Sequence, residues 1–120
     1  MKKAKLLIVD DEENIRFLFK EELEEEGYVV DVASNGLEAL EKVKNADFDL
    51  VVLDIKMPGM SGIQALNEIK NMKKNLPVIL CSAYGEFKQD FSSWASDGYV
   101  VKSADTKELK QTIKDLLVIE

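Results

Sequence analysis

The sequence predicts an α/β fold: five parallel strands in one open sheet, with helices packed on both faces. Three observations predict it. Five short apolar runs, mostly β-branched, recur along the 120 residues. Amphipathic helical patterns alternate with them. Several runs lack polar alternation, as strands buried on both faces of a parallel sheet do.

The first run is Leu6-Leu7-Ile8-Val9. Behind it, Ile15, Leu18, Phe19 and Leu23 fall on one helical stripe, with Glu21, Glu22, Glu24 and Glu25 largely outside it. Gly27 stands where a helix C-terminal glycine would. Tyr28-Val29-Val30-Asp31-Val32 is the second strand, and Leu37, Leu40 and Val43 mark the second helix. Leu50-Val51-Val52-Leu53 is the third strand, followed by the stripe Ile63, Leu66, Ile69 and Met72. Val78-Ile79-Leu80-Cys81 is the fourth strand. Phe87, Phe91, Trp94 and Ala95 suggest a fourth helix, the least regular because serines interrupt it. Tyr99-Val100-Val101 and the stripe Leu109, Ile113, Leu116 and Leu117 close the series. Asn35-x-x-Glu38, Ser61-x-x-Gln64 and Asp105-x-x-Glu108 have the spacing of capping boxes or close variants. Strict βα alternation with right-handed crossovers leaves few topologies. The expected one is the (βα)5 flavodoxin-like three-layer sandwich, strand order 2-1-3-4-5, as one domain over residues 1–120.

Composition narrows the chemistry. With 23 acidic against 16 basic residues and a formal charge of −7, nucleic acid is not an expected partner. The chain has no histidine, which excludes Ser-His-Asp and Cys-His catalysis and HExxH zinc sites. One cysteine, Cys81, excludes an internal disulfide and reads as inert core. Met1-Lys2-Lys3-Ala4-Lys5 precedes only four apolar residues, too few for a signal peptide, and no run spans a membrane. The expected location is the cytoplasm.

In such a sheet the binding crevice opens at the carboxyl ends of the strands, between the first and third. The first strand ends in Asp10-Asp11, the third in Asp54, the fourth in Ser82 and the fifth in Lys102. Crowded carboxylates repel and call for a cation. Oxygen donors without Cys or His point to Mg²⁺, held by Asp10, Asp11 and Asp54 with a backbone carbonyl and water. A lysine beside that ion makes sense when an anion arrives, and a phosphoryl group binds metal, Lys102 and Ser82 at once.

Four segments carry a family resemblance: Ile8-Val9-Asp10-Asp11-Glu12, Val52-Leu53-Asp54-Ile55-Lys56-Met57-Pro58-Gly59-Met60-Ser61-Gly62, Cys81-Ser82-Ala83-Tyr84 and Gly98-Tyr99-Val100-Val101-Lys102. In this order, at strand ends, the chain resembles the chemotaxis-regulator-like receiver domains of bacterial two-component response regulators. Ala83-Tyr84-Gly85-Glu86 is similar to the stand-alone receivers of sporulation phosphorelays. The resemblance implies that Asp54 accepts a phosphoryl group from a histidine kinase or phosphotransfer protein. It implies Mg²⁺ on Asp10, Asp11, Asp54 and the backbone carbonyl of Lys56. Ser82 and Lys102 would hold the phosphoryl group, Ser82 and Tyr99 would form the switch, and Lys56 and Tyr84 would tune access of hydrolytic water. The domain would catalyse only its own phosphorylation and dephosphorylation and act by binding a downstream protein or output domain. The family usually follows the lysine with proline; here Ser103 follows Lys102, which predicts a trans bond and a less firmly aimed ammonium.

Other readings compete. Asp10-Asp11-Glu12-Glu13 alone reads equally as an acidic helix start. A haloacid-dehalogenase-type phosphatase needs a second acid where Lys56 stands. A nucleotide or flavin carrier lacks any Gly-rich phosphate loop. A degenerate receiver serving only as an interaction module is the remaining alternative.

Overall fold

The computed structural model describes residues 3–83 and 96–117. Its elements run β1 (Lys5–Val9), α1 (Glu13–Glu25), β2 (Val29–Ala33), α2 (Gly36–Asn45), β3 (Leu50–Asp54), α3 (Gly62–Met72), β4 (Val78–Ser82), β5 (Gly98–Val101) and α4 (Lys107–Leu117). The five strands pair in parallel in the order β2-β1-β3-β4-β5. The expected topology is therefore the observed one. The helix expected at Phe87, Phe91, Trp94 and Ala95 lies outside the described residues.

The strand period of two sorts the core into two layers. Leu7, Val9, Val51, Leu53, Val78, Leu80 and Tyr99 face α2 and α3, meeting Ala39, Val43, Ala65, Leu66 and Ile69. Leu6, Ile8, Leu50, Val52, Ile79, Cys81 and Val100 face α1 and α4, meeting Phe19, Leu23, Leu109 and Ile113. Because both faces are covered, β3 and β4 are buried at every position. That is why those runs show no polar alternation.

Helix ends follow local chemistry. Ser61 and Gln64 form a full capping box, Ser61 Oγ accepting from Gln64 N–H and Gln64 Oε1 from Ser61 N–H. Asn35 Oδ1 caps Glu38 N–H, while the Glu38 carboxylate turns to Ser34. The Asp105-x-x-Glu108 box is corrected. Asp105 Oδ1 takes the N–H of Lys107, two residues on, because α4 starts at Lys107 rather than one residue earlier. Gly27 takes φ +100°, with Tyr28 N–H on Leu23 O and Gly27 N–H on Glu24 O, the paired bonds of a Schellman ending. Leu37 is a second correction: it is 69% exposed, and α2 buries Gly36, Ala39 and Val43 instead. The small residues let that helix lie close, with Gly36 against the Met60 side chain. Met72, the last residue of α3, is also exposed.

Candidate functional site

Strand ends bring the site together. On β3, Leu50, Val52 and Asp54 share one side of the sheet by the period of two, and Asp10 follows Leu6 and Ile8 on that side. Lys102 follows Val100 in the same way. Register pairs Asp54 with Cys81 and Cys81 with Val100. Lys102 therefore stands one pleat beyond Val100, and its four-carbon stem reaches across β4. Its Nζ lies 2.9 Å from Asp10 Oδ2, 3.4 Å from Asp54 Oδ1 and 3.4 Å from Glu12 Oε1. Its backbone N–H donates to Ser82 O at 2.6 Å, tying its root to the neighbouring strand end.

Asp10, Asp54 and Ser82 are buried, while Asp11 and Lys56 are exposed. A cleft of about 230 Å³ opens here, lined by Asp11, Glu12, Asp54, Lys56, Ser82 and Lys102 among others. Asp10 closes the cluster from beneath, its Oδ1 accepting from Glu12 N–H at 2.9 Å. Asp10 thus accepts from the N–H of Glu12, the N-cap residue of α1, and its other oxygen lies in the acidic cluster with Lys102. Despite Ser103 and an all-trans backbone among the described residues, Lys102 points at the acids.

Electrostatics show what the cluster calls for. Burial pushes the Asp54 carboxyl up to about 7, the charge of Asp10 adds to the rise, and Lys102 offsets part of it. Burial alone would lower the Lys102 pKa. The hydrogen bond and charge of Asp10, with the charge of Asp54, outweigh that and hold the ammonium above its ordinary range. One ammonium does not neutralise the acids. One carboxylate oxygen from each of Asp10, Asp11 and Asp54 lies within 4.8 Å of the others, close enough to share an ion. All three are hard oxygen donors, so the set fits a hard divalent cation that keeps water ligands.

Tyr99 lies elsewhere, 9% exposed in the α2–α3 core layer. Tyr84 lies outside the described residues. Two contributors carried no assigned role in the sequence reading. Arg16 Nη1 donates to Asp10 O at 2.7 Å and steadies the turn from β1 into α1. Gly62 lets the start of α3 pass so close to β3 that a methyl there would collide with the Asp54 carbonyl oxygen. Gly62 N–H donates to Ile55 O at 2.8 Å. The turn after the third strand signalled the glycine, whereas nothing in the sequence signalled the arginine.

Residues 6–114 match the model of the response regulator receiver domain. The chain belongs to that family. The receiver is 38% identical over 122 residues to sporulation initiation phosphotransferase F of Bacillus subtilis (strain 168), covering 100% of this chain and 98% of that one. Response regulator TrrA of Thermotoga maritima, in complex with Mg²⁺-BeF, matches it with a TM-score of 0.90 and 54% identity. That match covers 95% of this chain and 99% of TrrA. TrrA in complex with the histidine kinase ThkA matches with a TM-score of 0.88 and 54% identity, covering 95% and 98% of the two chains. This receiver is thus a phosphoacceptor signalling domain of two-component systems, as the resemblance implied. Among its described residues, no helix is long and apolar enough to cross a membrane.

Proposed function

We propose that Asp54 accepts a phosphoryl group from the phosphohistidine of a kinase or phosphotransfer protein, and that the domain then switches to control a downstream protein or output domain. The observation that carries this reading is the position of the Asp54 carboxylate in the cleft, within ligand-sharing distance of Asp10 and Asp11 and 3.4 Å from Lys102. An Asp54 oxygen forms the new O–P bond as the donor P–N bond breaks, and the imidazole leaves with the electron pair. Phosphoryl transfer asks the protein mainly for positioning and charge neutralisation. The Asp10, Asp11 and Asp54 carboxylates and the Lys56 backbone carbonyl would hold Mg²⁺, which would supply part of that neutralisation when bound. Lys102 supplies the rest, exchanging Asp10 for a phosphoryl oxygen. Ser82 donates its hydroxyl to another oxygen, and Tyr99 follows the movement of Ser82. Lys56 and Tyr84 flank the phosphoryl group and limit the approach of water. The partner is a histidine kinase or histidine phosphotransfer protein, a reading supported by the kinase complex of TrrA. The site takes the phosphoryl group once and turns over no separate substrate. The domain works in the cytoplasm, without contact to nucleic acid or membrane.

The test is labelling by radioactive acetyl phosphate with Mg²⁺. The parent chain takes up one acid-stable, base-labile phosphoryl group, and Asp54→Asn takes up none. Equal labelling of the two chains rejects the assignment.

A further inference from the structure

An ammonium that serves the phosphoryl group must start from a fixed place, and the loop behind Lys102 decides that place. No proline occurs between Lys102 and Lys107, and the Lys102–Ser103 bond is trans. Hydrogen bonds shape the loop instead. Asp105 N–H donates to Ser103 Oγ at 3.1 Å, and Lys107 N–H to Asp105 Oδ1 at 3.0 Å. These ties are local and do not set where the loop sits on the molecule. Thr106 does. It is 6% exposed, and its hydroxyl donates to Glu22 Oε1 at 3.2 Å, on a helix 84 residues earlier. The same oxygen accepts from Lys110 Nζ at 2.7 Å, and Lys110 Nζ also lies 3.7 Å from Glu26 Oε2. Glu22 therefore joins α1, the loop and the first turns of α4 at one atom. The hydrogen bond and charge of Lys110 hold the Glu22 carboxyl below its usual range, so it stays an acceptor at neutral pH.

We propose that Thr106 and Glu22 are positioning residues for Lys102: a latch between α1 and the β5–α4 loop that fixes the root of the ammonium reaching Asp54. Neither residue touches the cleft, so the latch acts through Lys102. The proposal rests on the reading of Lys102 as the ion-pair partner of the phosphoryl group. At the level of forces, one part-buried polar contact restrains the loop without any covalent brace.

The experiment titrates beryllofluoride in excess Mg²⁺, and Mg²⁺ alone, into the full chain, followed by amide NMR. It compares the parent, Thr106→Val, Thr106→Ser and Glu22→Ala, each with Lys102 and with Lys102→Ala. Valine keeps the shape and deletes the donor, and serine restores it. Thr106→Val is expected to weaken beryllofluoride binding by about threefold to tenfold, the net effect of one part-buried hydrogen bond. Mg²⁺ affinity stays unchanged, Thr106→Ser recovers parent binding, and Glu22→Ala follows Thr106→Val. With Lys102→Ala neither latch substitution has a further effect. Parent-like beryllofluoride binding by both Thr106→Val and Glu22→Ala overturns the latch. So does an equal loss of Mg²⁺ affinity, or a loss that persists without Lys102. If Thr106→Val does not fold, Glu22→Ala decides alone. A parent chain that takes no beryllofluoride sinks the phosphoacceptor reading itself and the latch with it.

Discussion

At Asp54, burial and the neighbouring Asp10 charge both favour the proton, and Lys102 opposes them less strongly. The folded carboxyl titrates near 7, against 3.8 for the unfolded one. The raised pKa gives a definite sign. Between those values the folded chain holds a proton that the unfolded chain has released, so this group favours folding fully below about pH 4. That contribution is lost as pH rises through 7. Asp54→Asn carries no such penalty. Without metal, its stability gain over the parent should therefore grow from under about 1 kcal/mol at pH 4 to about 4 kcal/mol at pH 8. Urea melts of both chains across this range measure it, and a gap independent of pH contradicts the account. Mg²⁺ should narrow the gap at pH 8, because the ion takes the place of the proton. The identity of these acids was legible in the sequence, since carboxylates at strand ends have few bland explanations once a lysine joins them. The contact between Lys102 and Glu12 at 3.4 Å was not, because an exposed glutamate at a helix start looks the same with or without a partner.

The elements supply the precision. The junction between β3 and α3 carries Asp54 and the start of the next helix, and Gly62 makes it tight. Gly62→Ala would press a methyl onto the Asp54 carbonyl and the Ile55 Cα. Overpacking against backbone has no flexible neighbour to absorb it. The substitution should cost about 2 kcal/mol in urea denaturation and slow labelling of Asp54, because the displaced backbone bears the nucleophile. Normal stability with normal labelling would show that the junction yields freely. The strands were easy to place from apolar runs, and the caps at Ser61 and Gly27 from their side chains. Leu37 misled because its spacing from Leu40 suits a stripe, yet small residues at Gly36 and Ala39 turn a different side of α2 inward. Helix phase at the margin of a stripe depends on how closely the neighbour approaches, here Met60.

Among the described residues, one sheet separates two apolar layers and gathers Asp10, Asp11, Asp54 and Lys102 at one rim. Cys81 shows the contrast. It is paired in register with Asp54 but sits in the α1–α4 layer, and burial pushes its thiol up to about 12. In the folded protein at pH 8 it should react with disulfide reagents at least about 100-fold more slowly than in urea, since the thiolate is scarce and access needs unfolding. Fast labelling of the native chain would mean that the layer opens far more often than its packing implies.

The sequence by itself determined the α/β class, the strand order and the acids and amine of the rim. Those features follow from period, charge and turn chemistry, which are local along the chain. Only the tertiary structure decided which atoms meet: Lys102 on Asp10 across β4, Arg16 on the Asp10 carbonyl, and Thr106 on Glu22. Such pairings depend on register and on the distance between packed helices. Those are set by the core as a whole, and no stretch of neighbouring residues encodes them.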